Sequence, residues 1–270
     1  MAAEFQNDDR VTITIGDDGV AQLRLARPDK LNALDAAMFD RLIDAGRALF
    51  ETRGLRAVVI AGEGRGFCAG LDMASFAGAP DPHAADLAER THGNANRFQQ
   101  AAMAWRKLPV PVIAAVHGVC FGGGLQVASG ADIRVVAPDA RLSIMEMKWG
   151  IVPDMGGYAL WRGLVRDDVL RELIYTNREF SGEEALALGF ATHVDPDPLA
   201  RAGRIAAEIA QRNPHAIRAA KSLANRAHDL ATDAILLAES HAQHELLYSK
   251  NQLEAVMSQM QGRKPKFENP

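Results

Sequence analysis

The chain is poor in cysteine, and it has neither an excess of basic charge nor a long apolar run. Its 270 residues include two cysteines, Cys68 and Cys120, too few for a disulfide framework. We therefore expect free thiols in a reducing compartment. The net charge of -4 does not indicate nucleic-acid binding. No apolar stretch reaches the length of about 18 residues that a membrane span needs. Residues 1–5 lack the basic start of a signal peptide, and we expect a cytoplasmic protein.

The sequence also lacks the short motifs of several enzyme classes. Three glycines follow a predicted strand near residue 62, but the third glycine of a dinucleotide fingerprint falls on Phe67. There is no G-x-x-x-x-G-K-[ST] phosphate loop and no G-x-S-x-G nucleophile elbow. The eight histidines show no H-E-x-x-H or paired Cys/His spacing, so we expect no metal site.

Two glycine-rich segments, residues 66–72 and 117–124, are the most informative feature that is present. Each follows a run typical of a buried strand, at 57–61 and 112–116. Small residues at a strand exit allow the backbone to come close to a ligand. Backbone N–H groups from two such exits can converge on one carbonyl oxygen, and donors of this kind are often the largest contribution to catalysis. The sequence therefore predicts a backbone site for a developing oxyanion.

Strand and helix patterns alternate over the first two thirds of the chain, and helical patterns alone fill the last third. This order predicts an α/β core over residues 1–197 and a helical region over residues 198–270. A surface loop is expected at 78–82. The predicted strands are 11–15, 20–25, 57–61, 112–116, 133–137 and 142–145. The predicted helices of the core are 38–50 with Asp35 as N-cap, 86–107, 125–129, 156–164, 168–175 and one that opens at a capping box on Ser181.

Two carboxylates and one amide lie near the glycine-rich segments in sequence. Glu146 follows the last predicted strand, and it can serve in catalysis or pair at the surface with Lys148 or Arg141. Asp154 precedes a predicted helix, and an aspartate in this position is most often an N-cap. Gln126 follows the glycine triplet and can donate and accept hydrogen bonds, but it cannot act as a proton base.

The order and spacing of these segments resemble the crotonase (enoyl-CoA hydratase/isomerase) superfamily over nearly the whole chain. The resemblance is carried by residues 27–34, 67–72, 118–126, 131–133 and 180–189. It implies a crotonase-type ββα spiral core with an all-helical C-terminal oligomerisation region, assembled as a homotrimer or a dimer of trimers. It also implies an acyl-CoA substrate without a separate cofactor, because coenzyme A is part of the substrate. Neither nucleic acid nor membrane is an expected partner.

The resemblance also implies roles for individual residues. The backbone N–H groups of Ala69 and Gly123 would hold the thioester oxygen while an enolate forms. Residues 69–72 would line the pocket for adenine and pantetheine. The residues expected to bind substrate or coenzyme A are Lys30, Ala69, Gly70, Leu71, Asp72, Gly123, Gly124, Lys266 and Phe267, of which the last two come from the same or a neighbouring subunit.

The reaction depends on which acids this chain retains. Hydratases of the family usually have two glutamates, at positions that match Gln126 and Glu146, and here only Glu146 is an acid. Dienoyl-CoA isomerases have acids that match Glu146 and Asp154, a pair kept here, and usually a third that matches Gln126. We therefore expect double-bond isomerisation, with Glu146 as general base, Asp154 as its partner and Gln126 as an orienting group. The alternatives are a 2-enoyl-CoA hydratase and a non-catalytic acyl-CoA-binding scaffold; a related peptidase would lack a serine nucleophile.

Overall fold

The computed structural model describes residues 5–72, 74 and 86–270. It contains two sheets, of which the larger has the order β1-β2-β3-β4-β6-β9 and the smaller the order β5-β7-β8. The strands are β1 (Val11–Ile15), β2 (Val20–Leu25), β3 (Ala57–Gly62), β4 (Val112–Val116), β5 (Val119–Phe121), β6 (Ile133–Val136), β7 (Arg141–Ser143), β8 (Phe180–Ser181) and β9 (His193–Val194).

The larger sheet begins with the predicted hairpin, since β1 and β2 pair antiparallel with Val11 opposite Leu25. From β2 onward the neighbouring strands are parallel. All five residues of β4 are buried, which is typical of a parallel strand covered by helices on both faces. Because parallel strands end at the same edge, the loops after β3 and β4 leave the sheet side by side.

Helices cover both faces of the larger sheet. α1 and α2 pack against each other and contribute to the main core, which includes Leu42, Leu49 and Trp105. The described helices are α1 (Ala36–Glu51), α2 (Arg97–Lys107), α3 (Gly123–Ser129), α4 (Gly157–Trp161), α5 (Asp167–Thr176), α6 (Gly182–Leu188), α7 (Pro198–Ala210), α8 (Pro214–Arg226), α9 (Thr232–Leu246) and α10 (Lys250–Met260). None of them is long and apolar enough to cross a membrane.

Two predicted helix caps are confirmed, and several predicted bounds are wrong. Asp35 accepts a hydrogen bond from the N–H of Met38, and Ser181 forms its capping box with Glu184. The helix predicted over residues 86–107 begins only at Arg97, because Asn96 and Gln99 form a capping box there. The helix predicted at 156–164 is α4, which ends at Trp161. The loop expected at 78–82 lies outside the described residues.

The boundary predicted at residue 197 separates elements that pack together. α7 buries Ala202 and Ala206 against the second face of the sheet, beside Val59 and Ile113. This helix therefore belongs to the α/β core, and the helical region beyond the core begins with α8. The mixed α/β fold and the helical C-terminal region themselves are as predicted.

Candidate active site

The two glycine-rich segments meet directly, as the sequence predicts. The N–H of Phe67 donates to the carbonyl of His117 at 2.9 Å. Cys68 is bonded on both sides: its N–H donates to Val119 O at 3.1 Å, and its carbonyl accepts from Phe121 N–H at 3.0 Å. These backbone bonds continue the parallel relation of β3 and β4 beyond the sheet, and they hold both strand exits in one place.

Glycine is required where the segments touch. A Cβ atom on Gly124 would lie 2.5 Å from the carbonyl oxygen of Cys68, closer than any side chain can approach. Gly70 has φ +85°, and a Cβ atom there would lie 2.7 Å from the carbonyl oxygen of Phe121. The same point is only 3.6 Å from the backbone nitrogen of Gly123. The Gly70 turn is therefore next to the first amide of α3.

The available amide of the first segment is not the one predicted. The N–H of Ala69 donates to the carbonyl of Leu31 at 2.9 Å, so it is already occupied. Leu34 forms a parallel bridge with Leu71, in which it donates to Gly70 O and accepts from Asp72 N–H. Since backbone groups of an extended chain alternate in direction, the N–H of Leu71 points away from Leu34. No hydrogen bond of the described residues uses the N–H of Leu71 or of Gly123.

Glu146 is buried at the start of the 3-10 turn Glu146–Trp149, with 8% of its surface exposed. Its Oε1 accepts a hydrogen bond from Gln126 Nε2 at 2.6 Å. Its Oε2 is buried, and no hydrogen bond reaches it from the described part of the chain. Burial raises the pKa of this carboxyl, and hydrogen bonds from the backbone and from Gln126 oppose that rise. A buried carboxyl with a raised pKa beside two joined loops is a candidate general base.

Surface pairing of Glu146 is contradicted. Arg141 forms an ion pair with Glu179 at 2.7 Å, and the ammonium group of Lys148 lies 5.4 Å from the centre of the Trp149 ring. Within the described residues, neither Arg141 nor Lys148 forms an ion pair with Glu146.

Gln126 is fixed by the backbone that follows Asp154. Its Oε1 accepts from the N–H groups of Met155 and Gly157, both at 2.9 Å. The amide oxygen is thus committed, and the NH₂ group must face Glu146. One buried amide consequently connects the base to the segment that carries the second carboxylate.

Asp154 is half-buried, and it is not a helix cap. The N-cap of α4 is Gly156, and no side chain caps that helix. Instead, Asp154 Oδ1 accepts from Gln99 Nε2 at 2.9 Å, and its Oδ2 accepts from Asn96 Nδ2 at 3.5 Å. We did not single out Asn96 and Gln99 from the sequence, although their Asn-x-x-Gln spacing is typical of a capping box.

Two further residues expected at the coenzyme A site are Asp72, the last residue of the first glycine-rich segment, and Lys30, which precedes the Leu31 carbonyl bonded to Ala69. Lys30 is exposed at the end of the 3-10 turn Pro28–Lys30. Asp72 accepts from Ala74 N–H and from Arg27 at 2.6 Å. These bonds, with a smaller contribution from Lys30, lower the pKa of the Asp72 carboxyl. The Asp72 side chain is therefore committed to Arg27, whereas Lys30 is exposed.

Lys266 and Phe267 lie in a different part of the chain. Phe267 lines a cavity of about 530 Å³ with Gly19, Arg56 and other residues near the start of β3. The backbone N–H of Lys266 donates to Glu254 at 2.6 Å. The described lining of this cavity includes none of the candidate catalytic residues. Within one chain these two residues do not join the site, and a contribution to a neighbouring subunit remains a prediction.

The site combines a buried carboxyl group, a second carboxyl group and two backbone amides that are unpaired among the described residues. Groups of these kinds are typical of an enzyme that uses acid–base catalysis. The model of the family described as Enoyl-CoA hydratase/isomerase matches residues 16–270. The chain belongs to this family, and the resemblance seen in the sequence is confirmed.

Relatives in this family include isomerases and hydratases. The mitochondrial delta(3,5)-delta(2,4)-dienoyl-CoA isomerase of Rattus norvegicus is 31% identical over 80% of this chain and 68% of its own. The peroxisomal isomerase of the same name from Arabidopsis thaliana is 30% identical over 93% of both. The crystal structure of an enoyl-CoA hydratase from Bacillus anthracis has a TM-score of 0.87 at 27% identity, over 96% of this chain and 98% of that one.

Proposed function

We propose that this enzyme isomerises the double bond of an unsaturated acyl-CoA thioester. Glu146 removes a proton from a carbon of the acyl chain, and the electron pair of that C–H bond moves into an enolate. The protonated carboxyl group of Asp154 delivers its proton further along the chain, and the double bond reforms in its new position. Glu146 then holds a proton and Asp154 has lost one, and proton exchange with water restores both groups for the next turnover. No electron acceptor is needed, because substrate and product have the same composition.

The unpartnered Oε2 of Glu146 is the observation that carries this proposal. A buried oxygen without a hydrogen bond is unfavourable for stability, and it is expected where a ligand supplies the missing partner. Oε1 is occupied by Gln126, so Oε2 is the atom that can take a proton. Burial raises the pKa of this carboxyl, so Glu146 is a stronger base than an exposed glutamate.

The enolate oxygen is held by the N–H groups of Leu71 and Gly123. Both amides belong to the joined loops and make no hydrogen bond within the described part of the chain, whereas the amide of Ala69 is bonded to Leu31. The proposal therefore replaces Ala69 by Leu71 as the first donor. Such a pair stabilises charge that develops on the thioester oxygen only as the proton leaves, and one donor is typically worth about 10²–10³-fold in rate.

Substrate binding by several subunits is part of the proposal. α9 contains no buried residue, and α9, α10 and the turn between them expose Leu236, Leu237, Tyr248, Leu253, Met257 and Met260. An apolar surface of this kind is expected to be covered by a second copy of the chain. A homotrimer or a dimer of trimers would then bring Lys266 and Phe267 to a neighbouring site, near Lys30. Sedimentation at micromolar concentration tests the assembly, and a stable monomer would contradict it.

Hydration of a 2-enoyl-CoA is the second candidate, because a hydratase is among the similar structures. It requires a group that positions and activates water. Gln126 uses its oxygen for two backbone N–H groups and one N–H for Glu146, which leaves a single N–H for a water. This favours isomerisation over hydration.

A substrate panel distinguishes the two reactions. The native enzyme is mixed with 2-enoyl, 3-enoyl and 3,5-dienoyl-CoA, and the change of conjugation is followed by ultraviolet absorbance. We expect turnover of a 3-enoyl or 3,5-dienoyl substrate, and a fall of about 10²-fold or more in Asp154→Asn. Rapid hydration of the 2-enoyl substrate with no isomerisation would establish the second candidate. Binding of all three without any absorbance change would indicate a scaffold.

A further inference from the structure

The orientation of the Gln99 side chain is determined by its surroundings. Its Oε1 accepts from the backbone N–H of Asn96 at 3.1 Å and from Arg90 Nη1 at 3.0 Å. With the oxygen held by two donors, the NH₂ group must face the other way. On that side lies Oδ1 of Asp154 at 2.9 Å.

The side chain of Asn96 is oriented in the same manner. Its Oδ1 accepts from the backbone N–H of Gln99 at 2.8 Å, which completes the capping box of α2. Its Nδ2 donates to the carbonyl of Leu87 at 3.0 Å and points toward Oδ2 of Asp154 at 3.5 Å. Asn96 is 3% exposed, so the arrangement is held by packing as well as by hydrogen bonds.

Both oxygens of Asp154 are consequently directed by neutral amides. In the described structure Asp154 makes no ion pair, and its side-chain partners are Asn96 and Gln99. Neutral amide donors can orient a carboxyl group without an opposite charge being present. Ordinary helix capping explains the bonds between Asn96 and Gln99, but it does not require a carboxylate from a segment more than fifty residues away.

We infer that the capping box at the start of α2 positions the proton-delivering carboxylate, and that Gln99 is the main positioning residue. The inference rests on the proposed isomerisation, since it gives Asp154 a place in that reaction. Gln99 touches no reacting atom and acts through Asp154 alone. Precise placement matters here because a displacement of about 1 Å at a reacting group can lower a rate by about 10²-fold.

The substitution Gln99→Glu separates positioning from capping. Glutamate is a favourable residue at this capping position, and its oxygens still accept from Asn96 N–H and from Arg90. It removes the donor to Asp154 and places a carboxylate against that side chain. We expect kcat for isomerisation to fall about tenfold or more, with KM changed by less than about threefold.

Hydrogen exchange identifies the step that fails. In D₂O, proton removal by Glu146 introduces deuterium into the substrate even when the double bond does not move. We expect the ratio of deuterium exchange to isomerisation to rise about tenfold in Gln99→Glu, because Asp154 is displaced and Glu146 is not. A general loss of structure would lower both rates together and leave the ratio unchanged, and that result would overturn the inference.

The second capping box of the chain supplies a matched control. Ser181 and Glu184 form the same reciprocal pair of bonds at the start of α6, where no candidate catalytic residue is bonded to them. We expect Glu184→Gln, an exchange of the same two residue types at the same helix position, to leave the exchange ratio at its native value. A similar rise in this control would overturn the inference, since any altered cap would then produce the effect.

The proposed function and the inference can fail separately. If Asp154→Asn abolishes isomerisation while Gln99→Glu retains native kcat and the native exchange ratio, the function stands and the positioning role is wrong. If Asp154→Asn isomerises at the native rate, the proposed function fails and the inference fails with it.

Discussion

The two carboxylates are built into very different parts of the molecule. Glu146 is buried against the joined strand exits, and its single side-chain partner is fixed by two backbone N–H groups. Asp154 is half-buried, and its partners belong to a helix start that is tied to the turns at residues 86–96 through Leu87 and Arg90.

The different surroundings of Glu146 and Asp154 correspond to two different steps of the proposed isomerisation. In the proposed reaction the base is Glu146, which is buried, and burial raises the pKa of its carboxyl. In the same reaction the proton is returned by Asp154, whose partners lie at the start of α2, outside the sheet. In the proposed reaction, enolate formation and return of the proton therefore depend on separate parts of the structure.

The largest effect is expected at the buried base. Glu146→Gln should lower kcat by about 10²–10⁴-fold, because the amide accepts the hydrogen bond of Gln126 but cannot take a proton. The same change should stabilise the protein at pH 7. A raised pKa means that the native carboxyl favours folding when protonated, and this contribution is lost as the pH rises through the folded-state pKa.

Thermal unfolding and steady-state kinetics on the same samples measure both effects. The gain in Tm of Glu146→Gln should disappear below about pH 4, where an unfolded glutamate is also protonated. Native activity of Glu146→Gln would show that Glu146 is not the base. A Tm gain that does not change with pH would show that burial does not raise the pKa of Glu146.

The contact between the loops should tolerate no added methyl group. Gly124→Ala places Cβ 2.5 Å from the carbonyl oxygen of Cys68, so the joined segments must separate. We expect a loss of about 1–3 kcal/mol in the free energy of unfolding, measured by urea denaturation, together with a lower kcat. Gly203→Ala in α7 is the control, since its added Cβ would meet no described atom within 4 Å apart from neighbouring residues and the backbone of its own helix, and alanine favours a helix. Equal stability of the two variants would contradict the close approach.

A second acid beside the base should change its titration. In Gln126→Glu the new carboxylate still accepts from Met155 and Gly157, and it lies against Glu146 where the amide now donates. Two carboxylates in contact share a proton, so the pair keeps that proton to higher pH than Glu146 alone. The acidic limb of the pH profile of kcat should move upward by about one unit. If the acidic limb of the pH profile stays in place in Gln126→Glu, the side chains at positions 126 and 146 do not interact.

The smallest effect is expected at the cysteines. Cys68 and Cys120 are buried free thiols in the joined loops, and burial raises the pKa of Cys68 to about 12. Because the thiolate is the reactive form, neither should be labelled by iodoacetamide at pH 8 in the native enzyme, and both should react in urea. Labelling of the folded protein, at a rate near that of a free thiol, would show that the loops open readily.

Much of the fold was predictable from local pattern. The opening hairpin, the cap at Asp35 and the box at Ser181 depend on residues close together in sequence, and the structure confirms them. The helix start at Arg97 was missed although Gly93 and Asn94 are typical turn residues, and the cap at Asn96 begins the helix there. The position of α7 was not predictable, since a helical pattern does not show which surface covers it.

The sequence by itself determined the family, the α/β order and the residue types available for chemistry, because these are written in short segments and their spacing. Tertiary structure alone decided which amide is free, since Ala69 is occupied by a distant carbonyl and Leu71 is not. It also decided that Asp154 is held by the start of α2 and is not a cap. Both outcomes depend on hydrogen bonds between residues far apart in the chain, and folding brings those residues together in ways that no local pattern encodes.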